Sequence, residues 1–343
     1  MKETPNDPMT GFRKKVWTAL SIAALFIIII WIIKISFNVL LLVLAGALIA
    51  LYFHGLSGLL HRNLRLPEKI SLLVSILGSF LLLFLFFWFA GDRVQQQFKD
   101  LGDTLPSAFE NFKERLNESP AGREVMDRVS SGANTGKISS FIQSFFRSTF
   151  GVIGDIYVVL FLGIFFTASP SIYIDGMLKL VPPKAREEAD KVVKKVGFTL
   201  TKWLKGQLFS MFVVFALTAI GLAIIGVPLW LVLSLIAGLL SFIPNFGPLI
   251  ALIPAVLVGL MQSPTTALLI AGLYILVQAL ESNLIMPQIQ KKLINMPPAV
   301  IILAQLFMGV LIGGWGLILA TPLVAIIIVL VQELYIKKQE ENE

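Results

Sequence analysis

The residues best suited to chemistry in this sequence surround Glu281. Glu281 lies in a long apolar segment, where an ionisable side chain is costly and marks a candidate functional site. Tyr274, Gln278 and Glu281 occupy positions i, i+4 and i+7, so a helix places them on one face that can turn towards a cavity. A carboxyl group that gains and loses a proton there could couple proton movement to substrate movement. Alternatively, Glu281 lies at the level of the lipid headgroups, because its apolar run ends nearby at Met286.

A second polar stretch, Ser241–Pro248, interrupts another apolar run. Its prolines and glycine free backbone carbonyls and amides, and Ser241 and Asn245 add polar side chains, a combination suited to an ion or a small polar solute. A structural kink whose polar groups are satisfied by neighbouring helices is the alternative. Gln305 and Thr321 are lone polar residues that interhelical hydrogen bonds explain as well as ligand contact does. Asp155, near the start of its run, fits an interfacial position.

Several classes of chemistry are excluded by what the chain lacks. It has no cysteine and two histidines, which leaves no thiolate site and little for an imidazole metal site. It contains no H-E-x-x-H, no Walker A loop and no G-x-S-x-G element. The net charge of +7 arises in segments that flank apolar runs, which is typical of a membrane protein and not of a nucleic-acid binder. We therefore expect no enzyme, no cofactor, no metal site and no nucleic-acid partner.

The elements that position these residues are predicted to be membrane helices. Hydrophobic residues make up 56% of the chain and charged residues 14%, and the mean hydropathy is +0.84, values typical of an integral membrane protein. The fold class is therefore all-α and polytopic, with about eight apolar segments. These are Val16–Ile33, Ile35–Phe53, Ile70–Ala90, Phe150–Ser169, Gly206–Pro228, Leu229–Gln262, Thr265–Met286 and Pro298–Val331.

Two of these runs, Leu229–Gln262 and Pro298–Val331, are too long for one crossing. As single helices each would measure about 51 Å, against a hydrocarbon core of about 30 Å. Both contain helix-breaking residues near the middle, so we predict two broken hairpins that return to their own side of the membrane. The breaking residues are Pro244, Gly247 and Pro248 in the first run and Gly313, Gly314, Gly316 and Pro322 in the second, and Pro287 follows the Glu281 segment.

The distribution of Lys and Arg predicts the sidedness. Basic residues dominate 1–15, 54–69 and 170–205, so we predict that these segments and both termini lie in the cytoplasm. The predicted location is the cytoplasmic (inner) membrane. The predicted units are 1–90 (three spans), 91–148 (a small helical extracytoplasmic domain), 149–205 (a span and a cytoplasmic linker helix), 206–332 (the core with both hairpins) and 333–343 (a cytoplasmic tail).

An apolar stripe in 91–148 fits either a contact between subunits or packing within one chain. Its members are Phe98, Leu101, Leu105, Phe109, Phe112 and Leu116.

The carboxy-terminal half resembles the autoinducer-2 exporter (AI-2 permease) family. The resemblance rests on Gly206-Gln207, on Ile243-Pro244-Asn245-Phe246-Gly247-Pro248, on Glu281 through Ile289, and on the Gly-rich run that ends in Thr321-Pro322. It implies importance for Gln207, Pro244, Gly247, Pro248, Glu281 and Pro287. Family members often show a Gly-Lys pair after the position of Ile289, where this chain has Gln290-Lys291-Lys292. The resemblance also implies homo-oligomers, and either export of autoinducer-2 or exchange of sodium or lithium for protons.

Three functions follow from these observations. The first is a secondary, ion- or proton-coupled exporter of a small polar solute similar to autoinducer-2, with Glu281, Gln278, Tyr274, Asn245, Ser241 and Gln207 in the pathway. The second is a monovalent cation (Na⁺ or Li⁺)/proton antiporter. The third is a non-transporting, oligomeric membrane scaffold that assembles through 91–148. The expected partners are the solute, Na⁺ or H⁺, the lipid bilayer and further copies of the chain.

Overall fold

The structure is a computed structural model that describes residues 8–118, 155–285, 287 and 297–340, with only the backbone at most of residues 8–35. All regular structure in these ranges is helical. Five of the described helices are long and apolar enough to cross a membrane, or six if a bent pair at Asp155–Lys179 counts as one span. The prediction of an all-α, polytopic membrane protein is confirmed, and the number of crossings stays a prediction.

The helices are numbered in chain order. They are α1 (Pro8–Leu64), α2 (Glu68–Glu118), α3 (Asp155–Ala168), α4 (Pro170–Lys179), α5 (Arg186–Ile225), α6 (Trp230–Leu240), α7 (Phe246–Gln262), α8 (Pro264–Leu280), α9 (Pro298–Ile312), α10 (Gly314–Val331) and α11 (Lys337–Glu340). A 3₁₀ turn, Pro183–Ala185, precedes α5, and π-helical turns follow α8 at Glu281–Ile285 and α10 at Gln332–Ile336.

Helix α1 differs from the expectation of two separate amino-terminal spans. It runs without a break through Lys34, the residue between the first two apolar runs. The physical reason is local: no glycine or proline lies between Val16 and Ala45, and lysine is a good helix former. The structure thus contains no turn at this boundary.

The two long apolar runs are each divided into two helices. In the first, α6 ends at Leu240 and α7 begins at Phe246, and Gly247 packs so closely that an added Cβ would overlap the Leu240 carbonyl. In the second, α9 and α10 meet at Gly313, which has φ +82°. An added Cβ at Gly316 would overlap the Met308 carbonyl, so these two helices also fold back closely on each other.

Proline has different effects at the two sites. Pro248 lies in the first turn of α7, where its missing N–H costs little. Pro322, expected to help break the second run, lies inside the continuous helix α10. A proline flanked by packed helix can remove one hydrogen bond without ending the helix. The turn of the second hairpin is therefore formed at Gly313 alone.

Two apolar clusters form the core, and α5 contributes to both. The first combines α5 with α6, α7, α8 and the outer part of α2, where Leu101, Leu105 and Ala108 are buried. The second combines α5 with α1, α3, α9 and α10.

Leu101 and Leu105 of the predicted apolar stripe thus pack within their own chain, and Phe98 is 41% exposed. The side chains of Phe109, Phe112 and Leu116, and residues 119–148 of the predicted extracytoplasmic domain, lie outside the described residues.

Candidate transport site

The carboxyl group of Glu281 is buried between helices. Glu281 is 4% exposed and begins the π-helical turn that follows α8. Its Oε1 accepts a hydrogen bond from Ser210 Oγ of α5 at 2.5 Å. Among the described residues Glu281 forms no ion pair. Single π-helical turns occur frequently at functional sites, because they shift a side chain out of the helical register.

Helix α5 connects this carboxyl group to the break in the first hairpin. Gln207 lies one turn before Ser210, so both side chains leave the same face of α5. Both are buried, and Gln207 Nε2 donates to the Ser241 carbonyl at 2.7 Å. Glu281 and the Ser241 break are thus contacted by neighbouring residues of one helix.

The second hairpin reaches the same break through Gln305. Gln305 is fully buried on α9, and its Nε2 donates to the Pro244 carbonyl at 2.9 Å. The same carbonyl accepts from Phe246 N at 2.8 Å. This bond closes a γ-turn around Asn245, which has φ +68° and ψ −48°. Such a turn is rare and strained for a residue with a side chain, so packing and these bonds must hold it in place.

Four buried side-chain atoms have no hydrogen-bond partner among the described residues. They are Tyr274 Oη, Gln278 Oε1, Gln305 Oε1 and Thr321 Oγ1. Buried polar atoms are nearly always paired, so unpaired ones are places where water, an ion or a solute can bind. Tyr274 and Gln278 lie on the face of α8 that also carries Glu281, and Tyr274 is buried.

The other predicted residues differ in their burial and in their hydrogen-bond partners. Ser241 donates its hydroxyl to the Gly238 carbonyl of its own helix. Asn245 is exposed, as are Gly313 and Gly314, whereas Pro244 and Gly247 are buried. Gln278 donates Nε2 to Ser282 Oγ at 3.1 Å. Pro287 is partly buried, and the neighbouring residues 286 and 288–296 lie outside the described residues.

Two contacts in this region are not predicted by the sequence. Ser210 carried no signal beyond being a hydroxyl in an apolar run one turn from Gln207. Trp315 Nε1 donates to Asp155 Oδ2 at 2.8 Å and so joins the start of α3 to the turn of the second hairpin. Asp155 and Trp315 are 160 residues apart, so no local pattern in the sequence predicts this pair.

The sequence matches a known transporter family over most of its length. Residues 20–336 match the AI-2E family of transporters. The chain belongs to the AI-2E transporter family. Its resemblance to autoinducer-2 exporters is thereby confirmed, and it is a multi-pass membrane transporter.

Relatives of this AI-2E transporter carry names from the same class. The Bacillus subtilis (strain 168) protein YueF, whose name proposes a transport role, is 29% identical over 279 residues, 77% of this chain and 76% of YueF. PerM of Escherichia coli (strain K12), whose name proposes a permease, is 31% identical over 175 residues, half of each chain. TqsA of the same strain, named an AI-2 transport protein, is 32% identical over 107 residues, 31% of each chain.

Proposed function

We propose that this chain is a proton-coupled secondary transporter that exports a small polar solute, with Glu281 as the group that binds and releases the proton. The observation that carries the proposal is the burial of the Glu281 carboxyl group with Ser210 as its hydrogen-bond partner. A carboxylate without a countercharge is costly at such a site, so a change in protonation alters its energy strongly.

The Ser210 contact suits a group that changes protonation state. A hydroxyl both donates and accepts hydrogen bonds, so it can donate to a carboxylate and accept from a carboxylic acid. The contact therefore persists in both states, and only the local charge changes. Because Ser210 and Gln207 share a face of α5, that change reaches the Ser241 break through a single rigid helix.

The solute is proposed to bind beside Glu281 along the same face of α8. Tyr274 Oη and Gln278 Oε1 are unpaired there, and a hydroxyl-rich solute would supply partners for both. The carbonyls of Ser241 and Pro244 are less available, because Gln207 and Gln305 already donate to them. The name of TqsA makes autoinducer-2 the first solute to test.

A Na⁺ or Li⁺/proton antiporter is the second candidate. Gln278 Oε1, Tyr274 Oη and the Glu281 carboxylate are oxygen ligands, which hard cations prefer. In this arrangement the cation and the proton would compete for Glu281. We further propose an inner-membrane location, a cytoplasmic carboxy terminus, a homo-oligomer and an extracytoplasmic domain at 91–148, on the Lys and Arg distribution and the family resemblance. Because α1 is unbroken, 1–15 and 54–69 lie on opposite sides of the membrane if α1 crosses it, so the predicted cytoplasmic amino terminus is not carried into this proposal.

The test uses the full-length chain in proteoliposomes with an imposed pH gradient. Autoinducer-2 efflux and Na⁺- or Li⁺-dependent pH change are measured in parallel for the wild type and Glu281→Gln. Glutamine keeps the shape and an acceptor for Ser210 but cannot ionise. We expect gradient-driven transport to fall to background, while solute exchange without a gradient continues.

Glu333→Gln is the matched control. Glu333 lies away from this site, and its Oε1 pairs with Lys195 Nζ at a distance of 2.8 Å. It should retain gradient-driven transport. Undiminished gradient-driven flux in Glu281→Gln would remove Glu281 from the coupling mechanism. A pH change driven by Na⁺ or Li⁺ and absent with autoinducer-2 would select the antiporter.

A further inference from the structure

A sharp bend separates α3 from the short helix α4. The two helix axes differ by 89°. Pro170 causes the break, because a proline inside a helix loses a hydrogen bond and clashes with the preceding turn. The residue before it, Ser169, accordingly leaves the helical conformation, with φ −146° and ψ 65°.

Contacts at both ends of α4 hold it at this angle. The rings of Phe166 in α3 and Tyr173 in α4 meet edge to face, with centroids 4.6 Å apart. At the other end of α4, Arg186 Nε donates to the Val181 carbonyl at 3.1 Å, and a second guanidinium nitrogen reaches the Lys179 carbonyl at 3.5 Å. These contacts therefore fix the position of α4 relative to α3 and to the start of α5.

Helix α3 runs along the membrane-crossing part of α1. Gly163 of α3 and Gly46 of α1 let the two helices approach so closely that an added Cβ at Gly46 would lie 2.7 Å from Leu162 Cβ. Small residues at such crossings are typical of membrane helix packing. Where α3 crosses the bilayer beside α1, the angle of 89° sets the axis of α4 parallel to the membrane plane.

The surface of α4 divides into three strips. Ile174 and Leu178 are partly buried against the protein. Ser171, Asp175 and Lys179 form a polar strip beside them. The third strip is apolar and exposed, and it comprises Ile172 (67% exposed), Tyr173 (42%) and Met177 (53%) of α4 together with Leu180 (86%), the residue that follows the helix.

We propose that α4 is an interfacial helix that inserts this apolar strip into the bilayer surface and binds anionic lipid headgroups through Lys179 and Lys184. Amphipathic helices with basic polar faces bind membranes in this way, and tyrosine favours the same depth. Lys179 is at the end of α4, Lys184 follows in the 3₁₀ turn, and both are exposed. The proposal rests on the membrane fold and is independent of proton coupling at Glu281.

The insertion is tested with single labels, since the native chain contains no cysteine. Leu180→Cys and Asp175→Cys are labelled with an environment-sensitive fluorophore in the full-length chain, reconstituted in phosphatidylcholine and phosphatidylglycerol vesicles. We expect nitroxide lipids to quench the label at 180 and aqueous iodide to quench the label at 175. Equal iodide quenching at both positions would overturn the proposal. Shielding of position 180 from both quenchers would also overturn it and would indicate a protein contact.

The headgroup preference is tested by charge. In Lys179→Gln/Lys184→Gln the extra lipid quenching that phosphatidylglycerol produces at position 180 should disappear, and in Lys179→Arg/Lys184→Arg it should persist. Lys191→Gln is the control, because Lys191 already pairs with Glu187 on α5 at 2.8 Å. Loss of the phosphatidylglycerol effect in the control, or its persistence in the double glutamine variant, would contradict lipid binding by these two lysines.

Discussion

The two hairpins differ in how the backbone polar groups at their breaks are satisfied. In the first, the turn is mostly buried, and glutamines from other helices donate to its Ser241 and Pro244 carbonyls. In the second, the glycines of the turn are exposed, and the adjacent Trp315 bonds to Asp155. The first turn places an asparagine at positive φ, whereas the second uses Gly313.

The difference shows which break is fixed by tertiary contacts. Backbone groups buried in a membrane protein need partners within the protein, and Gln207 and Gln305 provide them for the first turn. An exposed turn can be satisfied by water, and glycine makes its conformation accessible without help. The first hairpin should therefore respond strongly to changes in its neighbours, and the second mainly to changes in its own glycine.

The largest expected effect is at Gly247. An added methyl group would overlap the Leu240 carbonyl, so Gly247→Ala should lower stability by about 3 kcal/mol, in the range of severe overpacking. Gly314→Ala is the matched control in the other hairpin, because an added Cβ there meets no atom within 4 Å. Thermal unfolding of the purified full-length chain measures both. A similar melting temperature for the two variants would contradict the close approach at Gly247.

A smaller effect is expected when a carbonyl loses its amide partner. Gln207→Leu leaves the buried Ser241 carbonyl without its donor at 2.7 Å, which should cost about 1–3 kcal/mol. Gln262→Leu also removes an amide-to-carbonyl bond, to Gly226, but that bond is longer, at 3.4 Å, and exposed, so water can replace it. Thermal unfolding should separate the two variants. Equal destabilisation would indicate that Gln207 acts through packing and not through its hydrogen bond.

The smallest effect is expected at Asn245, a residue at positive φ, and its sign is opposite to that of the change at Gly313 in the second hairpin. Asn245→Gly should relieve the strained γ-turn and stabilise the chain by about 1 kcal/mol. Gly313→Asn should destabilise it by about 1–3 kcal/mol, because φ +82° with ψ −143° is accessible almost only to glycine. Chemical unfolding curves resolve both shifts. Destabilisation by Asn245→Gly would show that the asparagine side chain is itself required.

Features that depend on neighbouring residues along the chain can be predicted from the sequence. The breaks at Ser241–Asn245 and Gly313 lie where proline and glycine predict them, since these residues disfavour helix directly. Pro322 shows the limit, because the packing of α10 on both sides of it allows the helix to continue. Lys34 shows another, since a charged boundary between apolar runs did not require a turn.

The contacts of the candidate site could not be predicted in the same way. Ser210 and Glu281 are 71 residues apart, Gln305 and Pro244 are 61 apart, and Gln207 and Ser241 are 34 apart. Without a known packing arrangement, each buried amide or hydroxyl has many candidate partners. The buried position of Glu281 itself was only one of two possibilities, because its distance from the end of the run also fits the headgroup level.

The amino-acid sequence by itself determined that this is a helical membrane protein and where its long apolar runs break. Transfer of side chains into lipid and the backbone preferences of proline and glycine are local properties, readable residue by residue. Only the tertiary structure decided that Gln207 and Gln305 donate to the carbonyls of the first break, that Ser210 contacts Glu281, and that α4 turns by 89° from α3. Those outcomes depend on which helices pack together, and helix packing is a property of the whole chain.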